Sequence, residues 1–126
     1  MREIKLLLVD DEQDFVETLA ERLRLRDFGS TVAFNGETAL SIVEEGVPDV
    51  MLLDIMMPGI NGLEVLERVK ENYPNVQVII VTGHGGEKEK TQAMQLGAFA
   101  YMTKPVDFET LIITIMAAYE QISVES

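Results

Sequence analysis

The sequence predicts an α/β fold of the doubly wound kind, with five parallel strands in the order 2-1-3-4-5 and five helices over both faces of the sheet. Three observations carry this prediction. Short β-branched or aliphatic runs alternate five times with segments of helical period. The first run, Ile4 to Val9, is apolar except for Lys5, as a central strand covered on both sides requires. The conspicuous polar residues, Asp10-Asp11, Asp54, Thr82 and Lys104, each stand where a predicted strand ends.

The elements follow in order. Phe15, Leu19 and Leu23 recur every fourth residue, so residues 13–27 read as an amphipathic helix that closes near Gly29. Thr31 to Phe34 is a short second strand, and Asn35-Gly36 turns the chain into a helix carrying Ala39, Leu40 and Val43. Gly46 and Pro48 stop that helix. Val50 to Leu53 is the third strand, and Pro58-Gly59 and Asn61-Gly62 form a loop before a helix bearing Leu63, Leu66 and Val69. Val76 to Val81 is the fourth strand. A helix then runs to Leu96 with Gly97 as its C-terminal cap, and Ala98 to Met102 is the fifth strand. The last helix, 107–121, places Phe108, Leu111, Ile112, Ile115, Met116, Tyr119 and Ile122 on one stripe expected to face the sheet. Residues 1–126 read as one domain with a short polar tail after about residue 122.

Composition narrows the function. A chain of 126 residues suffices for a single hydrophobic core, and without cysteine it has neither disulfides nor thiolate metal ligands. The formal charge of −12 opposes contact with nucleic-acid phosphates or anionic lipid. The apolar run before Asp10 is too short for a signal peptide or a membrane span, so a soluble, cytoplasmic protein is expected.

Taken singly, the strand-end residues have ordinary roles: Asp11 could cap the first helix, Asp54 could hold a loop, and Lys104 could be solvated. The fold, however, forces all of them into the crevice at the carboxyl ends of the strands, where such sheets bind ligands. Carboxylates about 4 Å apart repel by roughly 4 kcal/mol at an effective dielectric near 20, so converging ones need a cation or a raised pKa. Oxygen-only ligands favour magnesium, which commonly shares its shell with phosphate oxygens. Phosphoryl chemistry follows. Asp54 is central and reads as the nucleophile, Asp10 and Asp11 as metal ligands, and Lys104 and Thr82 as donors to phosphoryl oxygens.

The motifs Leu8-Val9-Asp10-Asp11-Glu12, Leu53-Asp54 through Pro58-Gly59 to Asn61-Gly62, Val81-Thr82-Gly83, and Gly97-Ala98 through Tyr101 to Lys104-Pro105 span nearly the whole chain. In their order and separations the sequence resembles the receiver domain of bacterial two-component response regulators. The resemblance implies that a sensor histidine kinase or phosphotransfer protein phosphorylates Asp54, with Asp10, Asp11 and the Met56 backbone carbonyl on magnesium. It implies that Thr82 then moves towards the phosphoryl group, that Tyr101 turns inward, and that the Lys104-Pro105 bond is cis. It further implies an output domain, partner protein or homodimer engaged through the face of helix 4, strand 5 and helix 5, where Ile113 and Ala117 fall off the core stripe. The domain would be a phosphoacceptor with its own magnesium-dependent chemistry rather than a conventional turnover enzyme.

Asn61 stands where many members of that family carry Asp, and Met56 and His84 occupy variable positions. Apolar Met56 is expected to position attacking water poorly and so prolong the acyl phosphate. His84, without a second His or Cys, makes no transition-metal site. Two other classes share parts of this pattern. A flavin-binding module with the same flavodoxin-like order would need a hydroxyl- and glycine-rich phosphate loop where Asp10-Asp11-Glu12 stand. A stand-alone magnesium-dependent phosphatase would usually place an acid where Met56 stands. Kinase, input and output are not encoded here, nor is the choice between a complete regulator and an excised receiver.

Overall fold

Alternation along the strands decides which layer each side chain joins. β1 (Leu6–Val9), β2 (Ser30–Ala33), β3 (Val50–Leu53), β4 (Gln77–Thr82) and β5 (Ala100–Thr103) form a five-stranded sheet in the order β2-β1-β3-β4-β5. All four pairings are parallel. The computed structural model describes residues 3–83 and 85–125, with side chains through Ile122; His84, which the sequence left without a role, lies outside the described residues.

Leu7 and Val9 enter one apolar layer with Met51, Leu53, Val78 and Ile80, while Leu6 and Leu8 enter the other with Val50, Leu52, Ile79 and Val81. The first layer is covered by α2 (Gly36–Glu45), α3 (Gly62–Asn72) and α4 (Glu87–Gln95), through Ala39, Val43, Val65, Leu66, Val69 and Ala93. The second is covered by α1 (Gln13–Arg24) and α5 (Phe108–Glu125), through Val16, Leu19, Leu23, Leu111, Ile115 and Ala118. Each fully buried Leu or Ile contributes about 1.5–3 kcal/mol relative to exposure, which makes the central strands the main apolar support of the fold. Among the described residues no helix is long and apolar enough to cross a membrane.

The helix ends correct two expectations. α1 closes on Asp27, not near Gly29: Asp27 takes φ +68°, and the amides of Phe28 and Asp27 return to the carbonyls of Leu23 and Arg24 at 2.9 and 3.0 Å. Aspartate's short polar side chain tolerates the left-handed conformation that glycine usually supplies, and Phe28 packs with Leu23 across the turn. α4 ends as expected on Gly97, at φ +102°. On α5, Met116 is 46% exposed whereas Ala118 is fully buried. The stripe is narrower than the apolar sequence suggested, because Leu111, Ile115 and Ala118 already fill the sheet-facing side. The same helix runs on to Glu125, past the tail expected after residue 122.

The opposite end of the sheet is pinned by Asp49, which is buried just before β3. Its Oδ2 accepts the Lys5 amide at 2.9 Å, and its own amide donates to the Lys5 carbonyl at 2.9 Å. Removing the carboxylate leaves the part-buried Lys5 amide without that acceptor, at a cost of about 1–3 kcal/mol. Asp49→Ala is therefore expected to lower the urea midpoint with an unchanged slope, and Asp49→Asn to retain most of the stability.

Candidate functional site

The parallel register brings the strand ends to one edge: Val9 pairs with Leu53, Leu53 with Ile80, and Thr82 with Thr103. The next residues continue the ladder. The Asp10 amide donates to the Ala33 carbonyl at 3.1 Å, that of Asp54 to Val9 at 3.0 Å, and that of Lys104 to Thr82 at 2.8 Å. The backbones of Asp10, Asp54 and Lys104 are thus each fixed by a neighbouring strand. The Lys104-Pro105 peptide is cis.

The two aspartates are held alike. Asp10 Oδ1 accepts the Glu12 amide and Asp54 Oδ1 the Met56 amide, both at 2.9 Å. Their Oδ2 atoms face Lys104 Nζ, at 2.8 Å from Asp10 and 3.5 Å from Asp54. Both carboxylates are 4% exposed. Burial pushes the Asp10 carboxyl above its ordinary range, and the neighbouring Asp54 charge adds to this, against the pull of Lys104 and the Glu12 amide. Burial also works against the Lys104 ammonium, but its contacts with Asp10 and Glu12 and the Asp54 charge outweigh it, so the amine lies above its usual range. Lys104 stays charged.

Two participants were not legible as such in the sequence. Glu12 Oε1 lies 2.6 Å from Lys104 Nζ, and the Phe15 ring receives the ammonium on its face at 4.2 Å from the centroid. Glu12 stood in a quoted motif without a role, and the spacing of Phe15 marked it only as a core residue. The ligand oxygens of Asp10, Glu12 and Asp54 all lie within 4.8 Å of one another. Asp11, expected beside Asp10, is exposed and is not of that group. Met56 is 51% exposed, with its amide engaged by Asp54.

Thr82 is fully buried at the end of β4. Tyr101, paired with Ile80, packs inward against the layer under α4. Its hydroxyl is buried and makes no hydrogen bond among the described residues; burial pushes the phenol upward, with the charges of Glu89, Asp54 and Glu87 adding to the shift. Gly85, at φ +122°, leaves the room: a Cβ there would stand 2.3 Å from that hydroxyl. Gly62 is under a similar constraint beside the end of β3. A Cβ there would meet Asp54's carbonyl oxygen at 2.5 Å and Ile55 Cα at 2.3 Å, so only glycine lets α3 begin so close to Asp54.

This geometry agrees with what the chain resembles. The profile of the response regulator receiver domain matches residues 6–116. An NtrX-like response regulator of Rickettsia typhi is 37% identical over 122 residues, covering 95% of this chain and 26% of that protein. The transcriptional regulatory protein CpxR of Escherichia coli is 35% identical over 113 residues, covering 90% of this chain and 48% of its own. A CheY-like receiver domain from Methanospirillum hungatei superposes with a TM-score of 0.95 at 25% identity, covering 99% of this chain and all of that one. The chain belongs to the response regulator receiver domain family. It spans about a quarter to a half of the length of the two relatives compared by sequence.

Replacing Gly85 by Ala places a methyl group where the Tyr101 hydroxyl lies and strains a left-handed backbone. Tyr101 is expected to rotate outward, and its nitration by tetranitromethane, followed by peptide mass spectrometry, to quicken several-fold relative to Tyr119 in the same molecule. An unchanged ratio would mean that Gly85 does not set the position of Tyr101.

Proposed function

We propose that this receiver is a phosphorylation-activated signalling switch in which Asp54 accepts a phosphoryl group from a sensor histidine kinase or phosphotransfer protein. The observation that carries the reading is the pair of buried carboxylates, Asp10 and Asp54, gathered about one ammonium at the carboxyl ends of the central strands. A buried, hydrogen-bonded carboxylate with a fixed direction of approach is suited to nucleophilic attack. An Asp54 oxygen forms a bond to phosphorus as the bond to the donor's leaving group breaks, and the electron pair leaves with that group. The product is an acyl phosphate.

The donor set fits a hard divalent cation such as magnesium, because it is made of oxygens alone and two of its carboxylates are buried and share one crevice. Asp10 and Asp54 would hold the ion with the Met56 carbonyl, and Asp11 would join by turning in from its exposed position. Bound there, the ion supplies neutralisation of the phosphoryl oxygens. Lys104 donates a charge-assisted hydrogen bond to one phosphoryl oxygen, and the Thr82 hydroxyl donates to another. The domain records a signal rather than turning over a substrate.

Thr82 and inward Tyr101 then link the acceptor to the face of α4, β5 and α5. Met94 on α4 is 42% exposed and Ile113 on α5 is 66% exposed, with Ala117 also at the surface. That face docks an output domain, a partner protein or a second copy of the chain, in the cytoplasm and without direct contact with nucleic acid or membrane.

Incubation with magnesium and acetyl phosphate, read by intact mass, is expected to add one phosphoryl group to the wild type and none to Asp54→Ala; an adduct on both proteins would remove Asp54 from its role. Met56→Asn is expected to hasten loss of the adduct several-fold by giving attacking water a polar partner. An unchanged rate would reject that role for Met56.

A further inference from the structure

The shortest ion-pair contact of Lys104 is with Glu12, not with Asp54. Glu12 Oε1 is 2.6 Å from Nζ, Asp10 Oδ2 is 2.8 Å away, and Asp54 Oδ2, at 3.5 Å, is the most distant of the three. The Glu12 amide meanwhile donates to Asp10 Oδ1 at 2.9 Å. Glu12, Asp10 and Lys104 therefore close a ring: Glu12 orients Asp10 through its backbone and Lys104 through its side chain, and Asp10 and Lys104 bond to each other.

An ammonium has three N–H bonds, disposed tetrahedrally about the axis of its side chain. Asp10 and Glu12 occupy two of them. The Phe15 ring, 4.2 Å from Nζ to its centroid, backs the ammonium with an apolar face that attracts positive charge. With two directions taken, the third N–H is left for the Asp54 side of the crevice, where 3.5 Å is too long for a strong bond to the bare carboxylate. That gap suits a larger group on Asp54.

We infer that Glu12 is a positioning residue: its carboxylate, together with the Phe15 ring, aims the Lys104 ammonium at the group carried by Asp54. Glu12 itself touches neither the reacting oxygen nor the incoming phosphorus. The inference deepens the proposed function and rests on it. The side chain of Glu12 is 61% exposed, so its contribution is modest, but the lysine it holds is only 11% exposed. Loss of this contact therefore frees an ammonium that is otherwise confined.

The test uses the intact chain and two readouts. The first needs no phosphoryl chemistry: the Lys104 ε-methylene protons, lying near the Phe15 ring, are expected to resonate upfield in the proton NMR spectrum. In Glu12→Ala this shift is expected to collapse towards that of a solvated lysine, with Glu12→Gln intermediate. The second is the affinity for the phosphoryl analogue beryllofluoride with magnesium, followed by the amide spectrum. Glu12→Ala is expected to weaken it about five- to tenfold, the weight of one charge-assisted hydrogen bond with an exposed partner. In a Lys104→Ala background the same substitution is expected to add no further loss, since Glu12 acts through Lys104.

An additive loss in the double variant, or a Glu12→Ala affinity equal to or tighter than that of the wild type, would overturn the inference while leaving the acceptor role of Asp54 in place. An unmoved ε-methylene resonance would overturn it as well. A wild type that binds no beryllofluoride and takes no phosphoryl group would defeat the proposed function, and this inference with it.

Discussion

Asp10 and Asp54 come from adjacent strands whose register leaves their carboxylates no way to avoid one another, and both are nearly sealed from water. Two such charges persist together only with a cation beside them, and Lys104 stands beside both. Much of the local architecture meets this constraint. The Thr82 carbonyl fixes the lysine's amide, and Phe15, packed at the edge of the α1 and α5 layer, covers its head. The remaining carboxylate oxygens are occupied by the amides of Glu12 and Met56. The site is an electrostatic arrangement first and a binding site second.

The same arrangement shares one ammonium among three carboxylates. The ammonium is nearest to Glu12 and Asp10 and farthest from Asp54.

The fold was largely legible because strand and helix periods alternate cleanly and because a polar residue closes or follows every strand except the edge strand β2. Asp10, Asp54, Thr82 and Lys104 could be assembled from topology alone, since a parallel sheet puts every strand's carboxyl end on one edge. What escaped was local or lateral. Closure of α1 on Asp27 depends on one residue's backbone angle, which competes with the nearby and chemically more obvious Gly29. Met116 is apolar and in phase by sequence, but its neighbours already fill the space. Glu12 and Phe15 meet Lys104 across a sequence separation of about ninety residues, and no periodicity reports such a contact. Asp11, the sequence's second acid, is exposed in the bend between β1 and α1, where no alternation decides which way a side chain faces.

The alternation that builds the two apolar layers also sorts the functional side chains. Asp10 and Asp54 continue the series of Leu8 and Leu52 towards α1 and α5, whereas Thr82 and Tyr101 belong to the series of Ile80 on the side of α3 and α4. The sheet thus separates them: the buried carboxylates stand on the side of α1 and α5, and Thr82 and Tyr101 on the side of α3 and α4.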